Sequence, residues 1–509
     1  MKLSILCEAA GIYCPPMERD REITAIVSRS QDVIKGSLFV CVKGFHTDSH
    51  ALVSDVVAAG ACCVLVEDGA AFESVCGAVY LNAQSTRKAL ALLYHAWYGF
   101  PTRRLKIIGV TGTNGKTTVT HMLRFILESS FHPCGIIGTV GCESKGRCLE
   151  SRGADPLANM TTPDPEELYR IFAEMADDGV EYVLMEVTSH ALALGKLEPI
   201  VFEAAIFTNL TPDHLDFHGS MDAYAEAKAM LFSKSKLAII NLDSPFAGRM
   251  IFGTTGRLIT CSSDRKSADY MAGEISLHRQ RGVCYQLRSK NASFSISCPI
   301  PGSFTVINSM QAAICALELG IAPRDVKDAL AGMAGVKGRM EPVKLGLEAD
   351  FAVLIDYAHT PDALENLLRS AREITGETGR IVLVFGCGGD RDRKKRPMMG
   401  RLASTLADFT IVTSDNSRSE EPLNIIEEIL GGMEQGACCA VIPRREDAIR
   451  FAVLNARAGD LILLAGKGHE EYEITREGSR FFSEKELVKE AFALRLQRSK
   501  STHVTETEP

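Results

Sequence analysis

Ile107-Ile-Gly-Val-Thr-Gly-Thr-Asn-Gly-Lys-Thr-Thr118 runs an apolar strand into a glycine-rich turn, and the turn into a helix expected to start near Thr117. Gly112 and Gly115 let the backbone aim its N–H groups inward, and a helix N-terminus favours negative charge. A polyphosphate is the natural occupant. Lys116 is placed to bridge the β- and γ-phosphates and the Thr117 hydroxyl to ligate magnesium, with Thr113, Asn114 and Thr118 completing the cradle. Val110 stands where the strict Walker pattern has glycine, so TGTNGKTT is a variant loop.

The strand ahead of this turn, Leu105–Val110, opens an α/β unit. Further strands are expected at 182–186, 204–208 and 237–241, each ending in a polar residue at its carboxyl edge, where open parallel sheets bind ligands. Upstream, residues 1–100 alternate β-rich runs (37–43, 62–67) with helical stretches and read as a smaller α/β unit. Phe100-Pro-Thr-Arg-Arg104 reads as a linker. Downstream of Gly338-Arg-Met-Glu-Pro342, strands are expected at 352–356, 380–385, 409–413 and 460–465 with helices between them, again a parallel sheet. The fold class is therefore α/β in three domains, 1–103, 104–338 and 339–498. The central one is a P-loop ATPase-type parallel sheet, the last is Rossmann-like, and a polar tail, 499–509, is expected to be disordered.

Bulk properties narrow the function classes. With 509 residues the chain is too long for one core. Its net charge of -8 argues against bulk binding to nucleic acid or an anionic membrane surface. No apolar run reaches the ~18 residues of a membrane span, and Glu8 interrupts the short apolar N-terminal stretch, so no signal peptide is expected. The 16 cysteines show no zinc-site spacing and lie in apolar segments such as Cys62-Cys63 and Cys438-Cys439. Buried reduced thiols, and hence a cytoplasmic protein, are the expectation.

Several further segments share one likeness. Glu186-Val-Thr-Ser-His-Ala-Leu192, Phe207-Thr-Asn-Leu-Thr-Pro-Asp-His-Leu-Asp-Phe-His-Gly219 and Tyr224-Ala-Glu-Ala-Lys-Ala-Met-Leu-Phe232 follow the loop. Asp356-Tyr-Ala-His-Thr-Pro361, Gly386-Cys-Gly-Gly-Asp-Arg-Asp392 and Ala465-Gly-Lys-Gly-His-Glu470 complete the set. Together with TGTNGKTT they resemble, in order and along nearly the whole chain, the Mur ligase superfamily, and within it the muramyl-tripeptide synthetases. The resemblance implies an ATP-dependent ligase that joins a free diamino acid to the D-glutamate γ-carboxyl of UDP-MurNAc-L-Ala-D-Glu in cytoplasmic peptidoglycan precursor synthesis. It also implies a UDP-binding first domain, and a monomer is expected.

The chemistry fits the residues. A carboxylate does not acylate an amine at neutral pH, because its leaving group would be oxide. Phosphorylation by ATP makes an acyl phosphate that expels inorganic phosphate instead. Two anions must then meet, so cations are needed to screen them. The resemblance gives the catalytic and metal-binding roles to Lys116, Thr117, Glu186, His214 and Lys228 with Mg2+. Read alone, Lys228 on its apolar helix is a snorkelling lysine; the resemblance makes it a CO2-derived carbamate and a metal ligand. His218 reads as structural.

Nucleotide contacts carry over to Asn308, Arg339 and Asp356, with Thr305 where the family usually has a second Asn. Muramyl-peptide contacts carry over to Ser28, Ser30, Thr161, Thr162, Thr188 and Lys196. Here Arg29-Ser30-Gln31 departs from the family's Asp-Ser-Arg, Leu194 replaces Gln, and Lys196 replaces Arg at the loss of bidentate geometry. Residues 43–48, with His46, match the uridine end.

Asp415-Asn416-Ser417-Arg418 resembles a D-N-P-R loop. Arg418 can clamp a carboxylate and Asp415 an ammonium, with Arg391, Gly466 and Glu470 at the other positions of the pocket. Loss of the proline is expected to loosen the loop, and meso-diaminopimelate, lysine and ornithine stay open. Folylpolyglutamate synthetases share the phosphate loop but need neither the UDP segment nor the D-N-x-R loop. A regulatory P-loop NTPase predicts no amino-acid-binding third domain.

Overall fold

The computed structural model describes residues 1–505 except 45–46, 151–160, 279–281, 291, 347 and 377. The chain forms two compact units: residues 1–112, 126–210 and 214–260 make the first, and 113–125, 211–213 and 261–509 the second.

The first unit carries two parallel sheets. Strands Ala25–Val27, Ser37–Val40, Ala61–Glu67 and Val79–Ala83 pair in chain order. The other sheet orders Leu237–Asn241, Ala204–Phe207, Lys106–Thr111, Tyr182–Glu186 and Cys134–Gly138, all parallel. An antiparallel edge, Gly141–Ser144 and Arg147–Cys148, continues it. Ile107, Ile108, Val183, Leu184, Ala205 and Ile206 are buried, as strands covered on both faces require.

The expected linker at 100–104 is not a free tether. Pro101–Arg104 forms a 3-10 turn with Pro101 buried. The Thr102 hydroxyl lies 2.8 Å from His95 Nε2, and Arg104 pairs with Asp177 at 2.9 Å.

In the second unit an antiparallel meander, Tyr270–His278, Gly282–Ser289 and Ser293–Cys298, packs with helices Phe304–Glu318 and Pro323–Gly332. Alternation in these strands was not singled out in the sequence. A six-stranded sheet follows in the order Glu341–Pro342, Ala352–Asp356, Leu461–Ala465, Ile381–Phe385, Phe409–Val412, Cys439–Val441. Only its first pair is antiparallel. A hairpin, Tyr472–Thr475 with Gly478–Phe481, precedes the last helix.

That helix runs Glu484–Thr505, well into the segment expected to be disordered. Leu, Arg, Gln and Lys around 494–500 are good helix formers, and neither Gly nor Pro interrupts them before Pro509. Residues 506–509 lie outside the described residues.

All 16 cysteines are free thiols, and Cys438 and Cys439 are exposed rather than buried, because they lie at the start of the edge strand Cys439–Val441. Among the described residues no helix is long and apolar enough to cross a membrane.

One buried ion pair ties the second unit together. Arg445 and Glu484 are 0% and 2% exposed at the side chain and meet at 2.8 Å. Arg445 also donates to the carbonyls of Ala465 at 2.8 Å and Ser414 at 3.3 Å, fastening two strand ends. Removing Glu484 would strand a guanidinium in a dry interior. Glu484→Ala is therefore expected to cost about 3–5 kcal/mol in urea unfolding, and the apolar pair Arg445→Met/Glu484→Leu to recover most of it. A Glu484→Ala loss below about 1 kcal/mol would refute this role.

Candidate functional site

Parallel register sets where the polar residues gather. In the first unit Val110 pairs with Glu186, Thr111 with Phe207, and Met185 with Ile137. The strands therefore end together, and Gly112, Gly138-Thr139, Glu186 and Thr208 leave from one edge. Gly112 adopts φ 150°, and a Cβ on it would stand 1.9 Å from Thr208 Oγ1, so only glycine fits the turn.

Glu186 is buried. Its carboxylate accepts from Thr139 N at 2.9 Å and Thr139 Oγ1 at 3.0 Å. Thr139 Oγ1 lies 3.1 Å from Thr161 Oγ1, and Thr162 donates to the Glu186 carbonyl at 2.9 Å. Thr188 caps its helix through Ala191 N and donates its own hydroxyl to Thr162 at 3.2 Å. Thr139 thus bonds the carboxylate directly, and Thr161, Thr162 and Thr188 extend a hydroxyl network around the same strand end. Lys196 lies further off along this region, paired with Asp164 at 2.7 Å.

Lys228 is 2% exposed, which excludes the snorkelling geometry. Its Nζ donates to the Gly112 carbonyl at 2.9 Å and sits 4.7 Å from the Tyr224 ring. Helix Met221–Ala229, capped by Ser220, sets this approach. His214 adopts φ 53° ahead of helix Leu215–His218, and its ring meets His190 edge-on at 4.8 Å. Burial, then the neighbouring His214, lowers the His190 pKa. His218 is held down by burial, then by His190, and its Nε2 lies 2.9 Å from Ser189 Oγ. Ser28 and Ser30 follow the strand Ala25–Val27, with Ser30 exposed. In the segment 43–48, residues 45 and 46 lie outside the described residues, as does Met160 before Thr161.

Helix Lys116–Ser129 takes over from the turn, and its residues up to Phe125 belong to the second unit. Lys116 Nζ donates to the Thr113 carbonyl at 2.8 Å, and Thr113 Oγ1 exchanges hydrogen bonds with the Thr211 backbone at 3.2 and 3.0 Å. Asn114 donates to Asp362. Gly115 has φ 86°, and a Cβ there would lie 2.7 Å from Asn308 Oδ1, which puts Asn308 against the loop. Thr305 turns its hydroxyl back to the Pro301 carbonyl at 3.1 Å. Thr118 is buried.

Arg339 donates to Thr117 Oγ1 at 3.0 Å and lies 4.8 Å from the Tyr357 ring centroid, while its buried Nε has no partner among the described residues. An acceptor on a bound nucleotide would complete it. Asp356 accepts from Met340 N at 2.8 Å and Ala358 N at 2.9 Å, and burial raises its pKa.

The same logic of register builds a second cluster. Asp356 and Phe385 both pair with Ala465, and Phe385 with Val412. The loops carrying Tyr357, Arg391, Asp415–Arg418 and Gly466–Glu470 therefore leave one edge. Asp415 is buried with Lys467 Nζ at 3.5 Å. Asn416 Nδ2 donates to Glu470 Oε2 at 2.8 Å, and Tyr357 donates to Glu470 Oε1 at 3.4 Å.

Arg418 adopts φ 50°; its N donates to the Ile474 carbonyl at 3.1 Å and its guanidinium to Gly389 O at 2.9 Å. Ser417 is buried, so the loop without proline is tied down rather than loose. Gly466, at φ 117°, leaves room for Asp415, whose Oδ2 would lie 2.6 Å from a Cβ there. Arg391 is pushed down from the usual guanidinium pKa by burial and then by Arg418. Two carboxylates and two guanidiniums so share one sheet edge. Thr139 and Lys467 were not assigned roles from the sequence. Thr139 was findable by the rule of polar residues at strand ends, and Lys467 stood unremarked inside a quoted motif.

Comparison with known proteins places these features in context. Residues 110–316 match the Mur ligase middle domain, and 338–468 match the Mur ligase, glutamate ligase domain. A UDP-N-acetylmuramoyl-L-alanyl-D-glutamate–2,6-diaminopimelate ligase of Caldanaerobacter subterraneus is 41% identical over 474 residues, covering 93% of this chain and 95% of its own. The protein of the same name from Syntrophomonas wolfei is 40% identical over 499 residues, 96% of this chain and 99% of its own. A solved structure of a ligase of that name superposes with a TM-score of 0.66 at 30% identity, covering 97% of this chain and 99% of that one.

Proposed function

The chain belongs to the Mur ligase family, and we propose that it joins 2,6-diaminopimelate to the D-glutamate γ-carboxyl of UDP-MurNAc-L-Ala-D-Glu at the expense of ATP. The observation that carries the choice of amino acid is the C-terminal sheet edge, where Asp415 and Glu470 stand with Arg391 and Arg418. A molecule with ammonium and carboxylate groups at both ends uses both signs of charge, whereas lysine and ornithine leave a guanidinium without a partner. The names of the curated relatives support the same choice.

The reaction has two displacements. An oxygen of the D-glutamate γ-carboxylate attacks the γ-phosphorus of ATP, ADP leaves, and an acyl phosphate results. An amine nitrogen of the amino acid then attacks the acyl carbon; inorganic phosphate leaves, and the nitrogen gives up a proton to become an amide. Lys116 and the inward N–H groups of its loop hold the phosphates through the charge transfer. Asn308, Arg339 and Asp356 hold the nucleoside. The hydroxyls of Thr161, Thr162 and Thr188, with Lys196, hold the muramyl peptide, and Ser28 and Ser30 the UDP end.

Magnesium fits the donor set. The family resemblance assigns it to Glu186, Thr117, His214 and Lys228, and a carboxylate, a hydroxyl, an imidazole and a lysine carbamate would each supply a donor atom that magnesium accepts. When bound, the metal neutralises the charge that builds on the transferred phosphoryl group. Free ATP and a UDP-linked acceptor assign the reaction to the cytoplasm.

With ATP, magnesium and UDP-MurNAc-L-Ala-D-Glu, phosphate release and a tripeptide product are expected with diaminopimelate and not with lysine or ornithine. Lys116→Ala should lower turnover about a thousandfold while the UDP-peptide still binds. Turnover confined to lysine would sink the amino-acid assignment.

Carbamylation has its own test. Protein held in CO2-free buffer should lose most of its activity and regain it on addition of bicarbonate, and indifference to bicarbonate would refute the carbamate.

Glu470 gives a pH signature. Burial, then the nearby Asp415 carboxylate, raises its pKa above the ordinary 4.5. It therefore takes up a proton at higher pH than an exposed glutamate and ceases to hold an ammonium. KM for the amino acid should rise as pH falls through that raised value, and Glu470→Gln should show an already elevated KM with this limb flattened. An unchanged acid limb in the variant would remove Glu470 from the pocket.

A further inference from the structure

Lys467 is fully buried, and its contacts are with the protein itself. Its Nζ donates to Asn416 Oδ1 at 2.9 Å and to the Tyr472 carbonyl at 2.8 Å, and lies 3.5 Å from Asp415 Oδ1. Nζ also lies over the Phe482 ring, 5.4 Å from its centroid. Two glycines let the backbone carry it there. Gly466 at φ 117° leaves space for the Asp415 carboxylate, and Gly468 at φ 55° approaches Tyr357, whose Cβ would lie 2.6 Å from an added one. A cation this deep persists only when its partners replace the water it has lost.

Those partners define what it does. Ile474 N also donates to Asn416 Oδ1, at 3.0 Å, so both lone pairs of that oxygen are taken. The amide can then point only one way, with Nδ2 toward Glu470 Oε2 at 2.8 Å. Were the amide reversed, two N–H groups would face the ammonium of Lys467 and the N–H of Ile474, and Glu470 would lose a donor. The same cation offsets the buried charge of Asp415 and, through Tyr472, anchors the hairpin whose Ile474 carbonyl accepts from Arg418 N.

We infer that Lys467 is a positioning residue for the amino-acid pocket: it fixes the Asn416 amide and the Asp415 carboxylate in the orientation that receives the incoming amino acid, without touching that molecule. The inference rests on the proposed reaction but not on which diamino acid is used.

Steady-state kinetics with each of the three substrates varied in turn test it, using whichever amino acid the wild-type chain consumes. Lys467→Met keeps an unbranched apolar stem of similar length and removes the charge. Its KM for the amino acid should rise at least about tenfold, a loss of about 1.4 kcal/mol of binding, while KM for ATP and for the UDP-peptide stay within about twofold. Lys467→Arg keeps the cation and should recover part of the lost affinity. An amino-acid KM within twofold of wild type, equal rises for all three substrates, or an arginine variant no better than methionine would each overturn the inference. Where the methionine variant does not fold, arginine is compared with wild type directly. A rise confined to the amino acid then upholds the role, and parallel rises refute it. A wild-type chain that consumes no amino acid at all refutes the proposed reaction instead, so the two failures are separable.

Discussion

Parallel pairing in register is the constraint on which the rest depends. When neighbouring strands run the same way and stop at the same level, their carboxyl ends form one row, and the chain must leave that row through turns whose backbone groups the sheet cannot satisfy. Gly112, Thr139 and Glu186 leave one such row; Asp356, Asp415 and Gly466 leave another. The apolar interior of each strand supplies the stability, and the residues just past its end are left free to carry charge. Chemistry is concentrated at these rows because hydrogen-bonded sheet on one side anchors the loops that leave it.

Charge balance then decides which side chains can stay there. Glu186 accepts from the hydroxyl and the backbone N–H of Thr139. Asp415 is balanced from beneath by Lys467 and Arg445, while burial alone would push its carboxyl toward the neutral form. Arg396, also fully buried, bonds Glu420, Glu428 and the Gly388 carbonyl, and so stiffens the loop that carries Arg391. Asp415 and the loop of Arg391 are thus each backed by a buried cation.

Much of this was legible in the residues. The strands at 182–186, 237–241 and 352–356 are found where apolar runs end in a polar residue, because buried parallel strands leave that pattern. The phosphate loop was readable because TGTNGKTT constrains φ at two glycines at once. The meander at 270–298 was not, since its alternation is diluted by Ser, Gly and Cys on both faces. The last helix runs on to Thr505, into the segment whose polarity suggests disorder. Lys467 and Thr139 act through partners distant in sequence, and no local spacing encodes a contact between residues 416 and 467 or between 139 and 186.

Arg418 holds a left-handed backbone, a conformation that costs a side-chain-bearing residue roughly 1–2 kcal/mol. Glycine, asparagine and aspartate enter that region cheaply, but none carries a guanidinium; valine, isoleucine and threonine are excluded by their branched Cβ. Drift in amino-acid preference at this position is therefore channelled by the backbone before selection acts on the side chain. A lineage that abandons the arginine has an easy path to small or amide residues and almost none to bulky apolar ones.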